Sequence, residues 1–177
     1  MFKDYVCFSA ESKYFSLLEI EGIFVKVLSP EKKGELLKTI QFMQSKKELV
    51  VVEGGDNRFL VEQKTLDILL SPEKNIEKDF LHTRNSGLNQ VLCRLAKQHN
   101  IAIGFSFGDV LRISQEQRAE LLGRMMQNVR LCRKCKVKMI LGSFARNEFE
   151  LRSKDSLYHF GISLGMKPDE AKMALER

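Results

Sequence analysis

Six short runs of aliphatic and β-branched residues, separated by longer amphipathic stretches, restrict the folds open to this 177-residue chain. They lie at residues 5–8 (YVCF), 22–28 (GIFVKVL), 49–53 (LVVVE), 66–70 (LDILL), 101–105 (IAIGF) and 138–141 (KMIL). Their length and near-continuous apolar character suit strands buried on both faces, as in parallel sheets.

The stretches between them carry helix starts. Ser29-Pro30 offers a capping hydroxyl before a proline at the first helical position, with Leu36, Leu37, Ile40 and Met43 following on one face. Ser86 is expected to cap a helix to about His99, stopped by Asn100 in the left-handed region. Ser114 and Gln117 fit a reciprocal cap opening the longest helix, to about Cys135. Ser153 starts another, ended at Gly165, and Pro168 opens the last. Strands alternating with helices imply right-handed βαβ units in an α/β fold of one domain over residues 1–177. An open doubly wound sheet and a closed barrel both satisfy this pattern, and the chain is short for a complete eight-unit barrel of about 250 residues.

Charge is distributed unevenly. Residues 81–177 hold 17 Lys+Arg against 9 Asp+Glu, a net of +8, whereas residues 1–80 carry 12 against 14. A concentrated basic surface favours phosphate-rich partners, because each neutralised phosphate releases condensed counterions. No apolar run reaches the roughly 18 residues of a membrane span. The N-terminus lacks the apolar core of a signal peptide, and four cysteines without one read as reduced thiols of a cytoplasmic protein.

The densest basic segment is residues 112–138, with eight cations (Arg112, Arg118, Arg124, Arg130, Arg133, Lys134, Lys136, Lys138) and two acids. At 100° per residue, Leu122, Met125, Met126, Val129 and Cys132 form one apolar stripe. Arg124, Arg130, Arg133 and Lys134 are expected to face phosphate, or else only solvent and the negative end of the helix dipole. Arg118 projects towards the apolar side and reads as a structural arginine. A second basic segment, 82–97, groups Arg84, Asn85, Ser86 and Asn89 around a helix start, with Arg94 and Lys97 one and two turns on. Arg146, after the last strand, and Arg152, at a helix start, complete the set.

Catalytic and metal signatures are weak. Cys132 and Cys135 are spaced as a zinc pair, but a second pair is missing, so buried small hydrophobes are the expected identity. His82, His99 and His159 show no metal-ligand spacing, and Gly54-Gly55-Asp56 is a short βα turn rather than a phosphate loop.

Three segments in series, SGLNQVLCRLAKQHNIAIGFSFGDVL, RAELLGRMMQNVRLCRKCKVKMILGSFA and LRSKDSLYHFGISLGMKPDEAKMALE, resemble ribonuclease P protein component 3 of archaea, the counterpart of the eukaryotic thirty-kilodalton subunit. They cover residues 86–176, and VVVEGGD and LDILLSP are similar to the family as well. The resemblance implies a TIM-barrel-like parallel βα fold related to the PHP phosphoesterases, with truncation allowed for by the short chain. It implies a subunit of the RNA-based endonuclease that removes 5′ leaders from precursor tRNA. On that reading the RNA holds the catalytic Mg²⁺ ions, the protein binds no cofactor of its own, and its partners are the ribonuclease P RNA and the RRM-like subunit 2. RNA or partner contacts are then expected at Arg84, Asn89, Arg94, Lys97, Arg112, Arg124, Arg130, Arg133, Lys134, Arg146 and Arg152, with no catalytic or metal-ligating residue. Two other readings stand beside it. A free-standing PHP-type phosphoesterase should carry His-x-His on its first strand, where this chain reads YVCFS. A general nucleic-acid-binding module would follow from charge alone.

Overall fold

The structure is a computed structural model and describes residues 1–8, 13–29, 32–74, 78–79, 81–82 and 84–176. Strands β1 (Phe2–Val6), β2 (Ile20–Phe24), β3 (Val27–Leu28), β4 (Val51–Glu53), β5 (Ile68–Leu70), β6 (Ala102–Ser106) and β7 (Met139–Gly142) all pair in parallel. β3 to β7 form one sheet in sequence order, and β1 pairs with β2 in another. β3 continues β2 after a two-residue break. On its other side β1 meets the exit of β7, through a parallel bridge between Val6 and Ala145 and a 2.7 Å bond from Cys7 N–H to the Ala145 carbonyl. With β2 and β3 counted as one bent strand, the described residues form a closed ring of six parallel strands.

The side chains follow the strand period of two. Tyr5, Val51, Ile68, Leu70, Ala102, Ile140 and Phe144 pack together inside the ring, and Tyr5 stacks on Phe144 with centroids 5.4 Å apart. Their neighbours Val52, Leu69, Ile103, Phe105 and Leu141 face outward and pack under the helices. Both faces are therefore buried, which is why the runs read as continuously apolar.

The helices are α1 (Lys13–Leu17), α2 (Lys33–Ser45), α3 (Asn57–Glu62), α4 (Gln90–Gln98), α5 (Phe107–Arg112), α6 (Gln115–Cys135), α7 (Lys154–Ser163) and α8 (Pro168–Leu175), with a 3₁₀ turn at Glu148–Glu150. Ser114 caps α6, its hydroxyl accepting from Gln117 N–H at 3.4 Å, but the Gln117 side chain meets that hydroxyl rather than the Ser114 backbone. Ser153 caps α7, Asn100 stops α4 at φ 57°, and Pro168 opens α8. Two expected starts are corrected. α4 is capped by Asn89, whose side-chain Oδ1 accepts from Leu92 N–H at 2.9 Å, and Ser86 is buried upstream of it. α2 begins at Lys33 without a side-chain cap, not at Ser29, and Pro30 lies outside the described residues.

Gly104 is required by the narrow interior, since a Cβ there would stand 2.9 Å from Ile68 Cγ2 and 3.0 Å from Leu70 Cδ1. Gly104→Ala is expected to overpack the ring and cost about 1–3 kcal/mol, read as a lower urea midpoint with unchanged slope.

Candidate nucleic-acid interface

Parallel strands deliver their C-terminal ends to one mouth of the ring, and polar side chains gather there. Ser71, just after β5, donates to Asp109 Oδ2 at 2.6 Å. Lys74 bridges Glu53, the last residue of β4, and Asp109, whose Oδ1 is 3.4 Å away. Arg112 binds Asp109 at 2.9 Å and pairs with Glu150. Glu150 also accepts from Arg146 N–H at 2.9 Å, and Asp4 in β1 accepts from Ser143 N–H at 2.9 Å. Burial alone would push the Asp109 carboxyl up, but Lys74, the Ser71 hydroxyl and Arg112 together hold it below the usual carboxylate range. Lysine and arginine side chains thus pair with Glu53, Asp109 and Glu150 at this mouth. Among the described residues, no group of three or more His, Cys, Asp or Glu is arranged to hold a metal ion.

A second polar cluster fastens the β5–α4 connection to α6. Arg124 is buried, with Asp79 2.9 Å from its Nε and Glu120 paired to its Nη2. Asn128 donates to Glu73 Oε2 at 2.8 Å and to the Ser86 carbonyl at 2.9 Å. Gln127 donates to the Arg84 carbonyl at 3.0 Å, and the Arg84 guanidinium lies over Gly123, where a Cβ would approach it to 2.5 Å. Burial pushes the Glu73 carboxyl up to about 8, so it is protonated at neutral pH.

The expected contact residues therefore separate by environment. Arg112 and Arg124 have carboxylate partners at the mouth and under the connection. Arg133 binds both oxygens of Glu170, at 2.7 and 2.6 Å, and donates to the Gly165 carbonyl, which ties α6 to α8. Arg152 donates to the carbonyls of Phe149 and Leu151 and sits over the Phe107 ring at 5.1 Å. Asn89 is a helix cap. Arg124, expected to face phosphate or solvent, is instead buried, because the β5–α4 connection covers that side of α6. Arg118 is structural as read, donating to the Val110 carbonyl at 3.1 Å.

Arg84, Arg94, Lys97, Arg130, Lys134 and Arg146 remain exposed. Arg146 stands at the mouth, 3.8 Å from Glu53. Arg84 stands beside the N-terminal half of α6. The other four share the C-terminal halves of α4 and α6, which pack against each other. Burial and Cys93 push the Cys135 thiol up, while Arg94 and Lys134 pull it down, so cations from both helices flank that sulfur. Cys93 of α4 and Cys132 and Cys135 of α6 perturb one another's ionisation, a cross-helix thiol group that the spacing of Cys132 and Cys135 alone does not reveal. Lys136 and Lys138, exposed just beyond α6, extend the cationic band. They belong to the basic segment but were not among the expected contacts.

Two outcomes separate the buried cations from the free ones. Arg124→Ala leaves Asp79 and Glu120 without their partner and is expected to cost about 2–4 kcal/mol, whereas Arg130→Ala stays within about 0.5 kcal/mol in urea unfolding. Glu73 sets a pH dependence. Its folded value, about 8, lies above its ordinary 4.5, so the folded state holds the proton more tightly. Its contribution is complete below pH 4.5 and is lost as pH rises towards 8, by up to ~1.4 kcal/mol per pH unit. Glu73→Gln should flatten that slope in melts run from pH 5 to 8.

Comparison with known proteins agrees with this architecture. A family model described as RNase P subunit p30 matches residues 10–177. Ribonuclease P protein component 3 of Thermococcus gammatolerans is 33% identical over 154 residues, covering 85% of this chain and 68% of that protein. The protein of the same name from Methanocaldococcus jannaschii is 28% identical over 170 residues, 94% of this chain and 68% of its own length. Component 3 of Methanococcus maripaludis is matched over 56% of its length, so this chain spans between about half and two thirds of these relatives. A chain in a cryo-EM structure of archaeal ribonuclease P with mature tRNA superposes with a TM-score of 0.72 and 25% identity, covering 98% of this chain and 76% of that one.

Proposed function

This chain belongs to the RNase P subunit p30 family, and on that premise we propose that it serves as a protein subunit of ribonuclease P, the RNA-based endonuclease that removes 5′ leaders from precursor tRNA. In this reading the RNA carries the chemistry and its Mg²⁺, and the protein binds no cofactor of its own. It supports the folded catalytic RNA together with the RRM-like subunit 2, in the cytoplasm. Among the described residues, no helix is long and apolar enough to cross a membrane.

The observation that carries the RNA contact is the band formed by Arg94, Lys97, Arg130 and Lys134. These cations are exposed on two adjacent helices, whereas Arg112, Arg124 and Arg133 of the same segment are paired with carboxylates and Arg118 with backbone carbonyls. Free cations can trade their counterions for phosphates, and paired ones must first give up a salt bridge. The positive ends of these side chains also offset the negative C-terminal ends of α4 and α6. At the mouth, Lys74 and Arg112 pair with Glu53, Asp109 and Glu150, and β1 carries no His-x-His, which favours the RNA-supporting role over hydrolysis by the protein itself.

Changing Arg94, Lys97, Arg130 and Lys134 together to Gln is expected to leave the melting temperature within a few degrees and to reduce the log–log salt slope of RNA binding by about 3–4. In a reconstituted complex, leader cleavage should fall at moderate Mg²⁺ and recover partly at high Mg²⁺. Undiminished cleavage at every Mg²⁺ concentration would remove the band from the interface. The chain alone with Mn²⁺ should not turn over bis-p-nitrophenyl phosphate; turnover would favour the phosphoesterase.

A further inference from the structure

At the end of the ring opposite the polar mouth, a cleft of about 430 Å³ opens where α6, the start of β7 and α8 meet. Val137, Met139 and Met173 supply its apolar surface, and Lys97, Lys136 and Lys138 stand at its rim. We infer that this cleft is a docking groove for a protein partner that inserts an aliphatic side chain flanked by carboxylates.

The charge balance is the first argument. The one acid that lines the cleft, Glu170, is held on both oxygens by Arg133. Lys97, Lys136 and Lys138 are all exposed, and no ion pair among the described residues engages them. The cleft therefore presents three uncompensated cations around an apolar floor, which is complementary to an acidic segment with an apolar anchor.

The second argument is the nature of the floor. Met173 is 67% exposed, although α8 buries its other face through Ala171, Ala174 and Leu175. Flexible thioether side chains adapt to aliphatic partners and recur on peptide-binding surfaces. A phosphate backbone gains nothing from such a floor, and an unstacked base seeks an aromatic plane, which this cleft lacks among its lining residues. Protein is favoured over RNA for that reason.

The third argument is conformational. Lys136 adopts φ 54°, ψ 41° at the end of α6, a left-handed position where glycine is the unstrained choice. That turn leaves Lys136 and Lys138 exposed on either side of buried Val137. A lysine at a glycine position puts a charge on the rim at a conformational cost.

This inference goes beyond the proposed function and does not require the cationic band to touch RNA. The test uses the full chain, reconstituted with ribonuclease P RNA and its protein subunits, carrying photoreactive benzoylphenylalanine in place of Met173. Irradiation is expected to give an adduct with a protein subunit, mapped by mass spectrometry to a segment with adjacent carboxylates. Adding Lys136→Glu and Lys138→Glu should lower the adduct yield, and the affinity for that subunit measured without RNA, about tenfold, with the melting temperature little changed. An adduct with RNA, no adduct, or an adduct insensitive to the charge reversals overturns the assignment. Met173→Asp, at the same exposed site, should weaken the same protein contact and checks the result without the bulky photoprobe. Leader cleavage by the unsubstituted complex is measured separately, so failure of the functional reading is distinguishable from failure of the groove.

Discussion

The closure of β1 onto β7 is the constraint from which the rest of the architecture follows. A parallel strand has no hairpin to complete its hydrogen bonding, so an unclosed β1 would leave a row of backbone groups without partners. Here Val6 bridges Ala145, Cys7 N–H reaches the Ala145 carbonyl, and the buried Asp4 carboxylate accepts from Ser143 N–H. The last of these is unusual in placing an acid within a strand. Its carboxylate substitutes for a backbone acceptor at the seam, and it joins the first strand to the exit of the last.

Closure determines where chemistry can gather. With all strands parallel, one end of the ring collects Glu53, Ser71, Ser106 and Ser143 within a residue of the strand termini. In barrel enzymes this is the end at which catalysis occurs. Here Asp109, Glu53 and Glu150 are instead engaged by Lys74 and Arg112, so the end most suited to chemistry is spent on internal ion pairs. The free positive charge lies elsewhere, on the C-terminal halves of α4 and α6 and beyond them. The division accords with a protein that supports a catalytic RNA by contact, its own polar residues being committed to holding the fold.

The strands, the long helices and several caps were legible in the chain because they rest on local physics. Period-two and helical apolar patterns, and serine or proline at helix starts, need only a few neighbouring residues. The short helices α1, α3 and α5 escaped, since five or six residues show too little periodicity. The cap of α3 was hidden within Gly54-Gly55-Asp56, which reads as a short βα turn without marking Asp56 as the residue that accepts from Phe59 N–H at 3.1 Å. The ion pairs of Arg124 and Arg133 escaped for a different reason. Their partners Asp79 and Glu170 are 45 and 37 residues away in sequence, beyond the reach of any helical projection.

The sequence by itself determined the alternation of strand and helix, the double-sided burial of the strands and the excess of cations in the second half, because each is a property of composition and short-range order. Only the tertiary structure decided that the ring closes, that a carboxyl at Glu73 is kept protonated, and which arginines remain free. Those outcomes depend on groups far apart in the chain meeting in a medium that excludes water. There an unpartnered charge is costly, and the nearest partner in space, rather than in sequence, sets what a side chain can do.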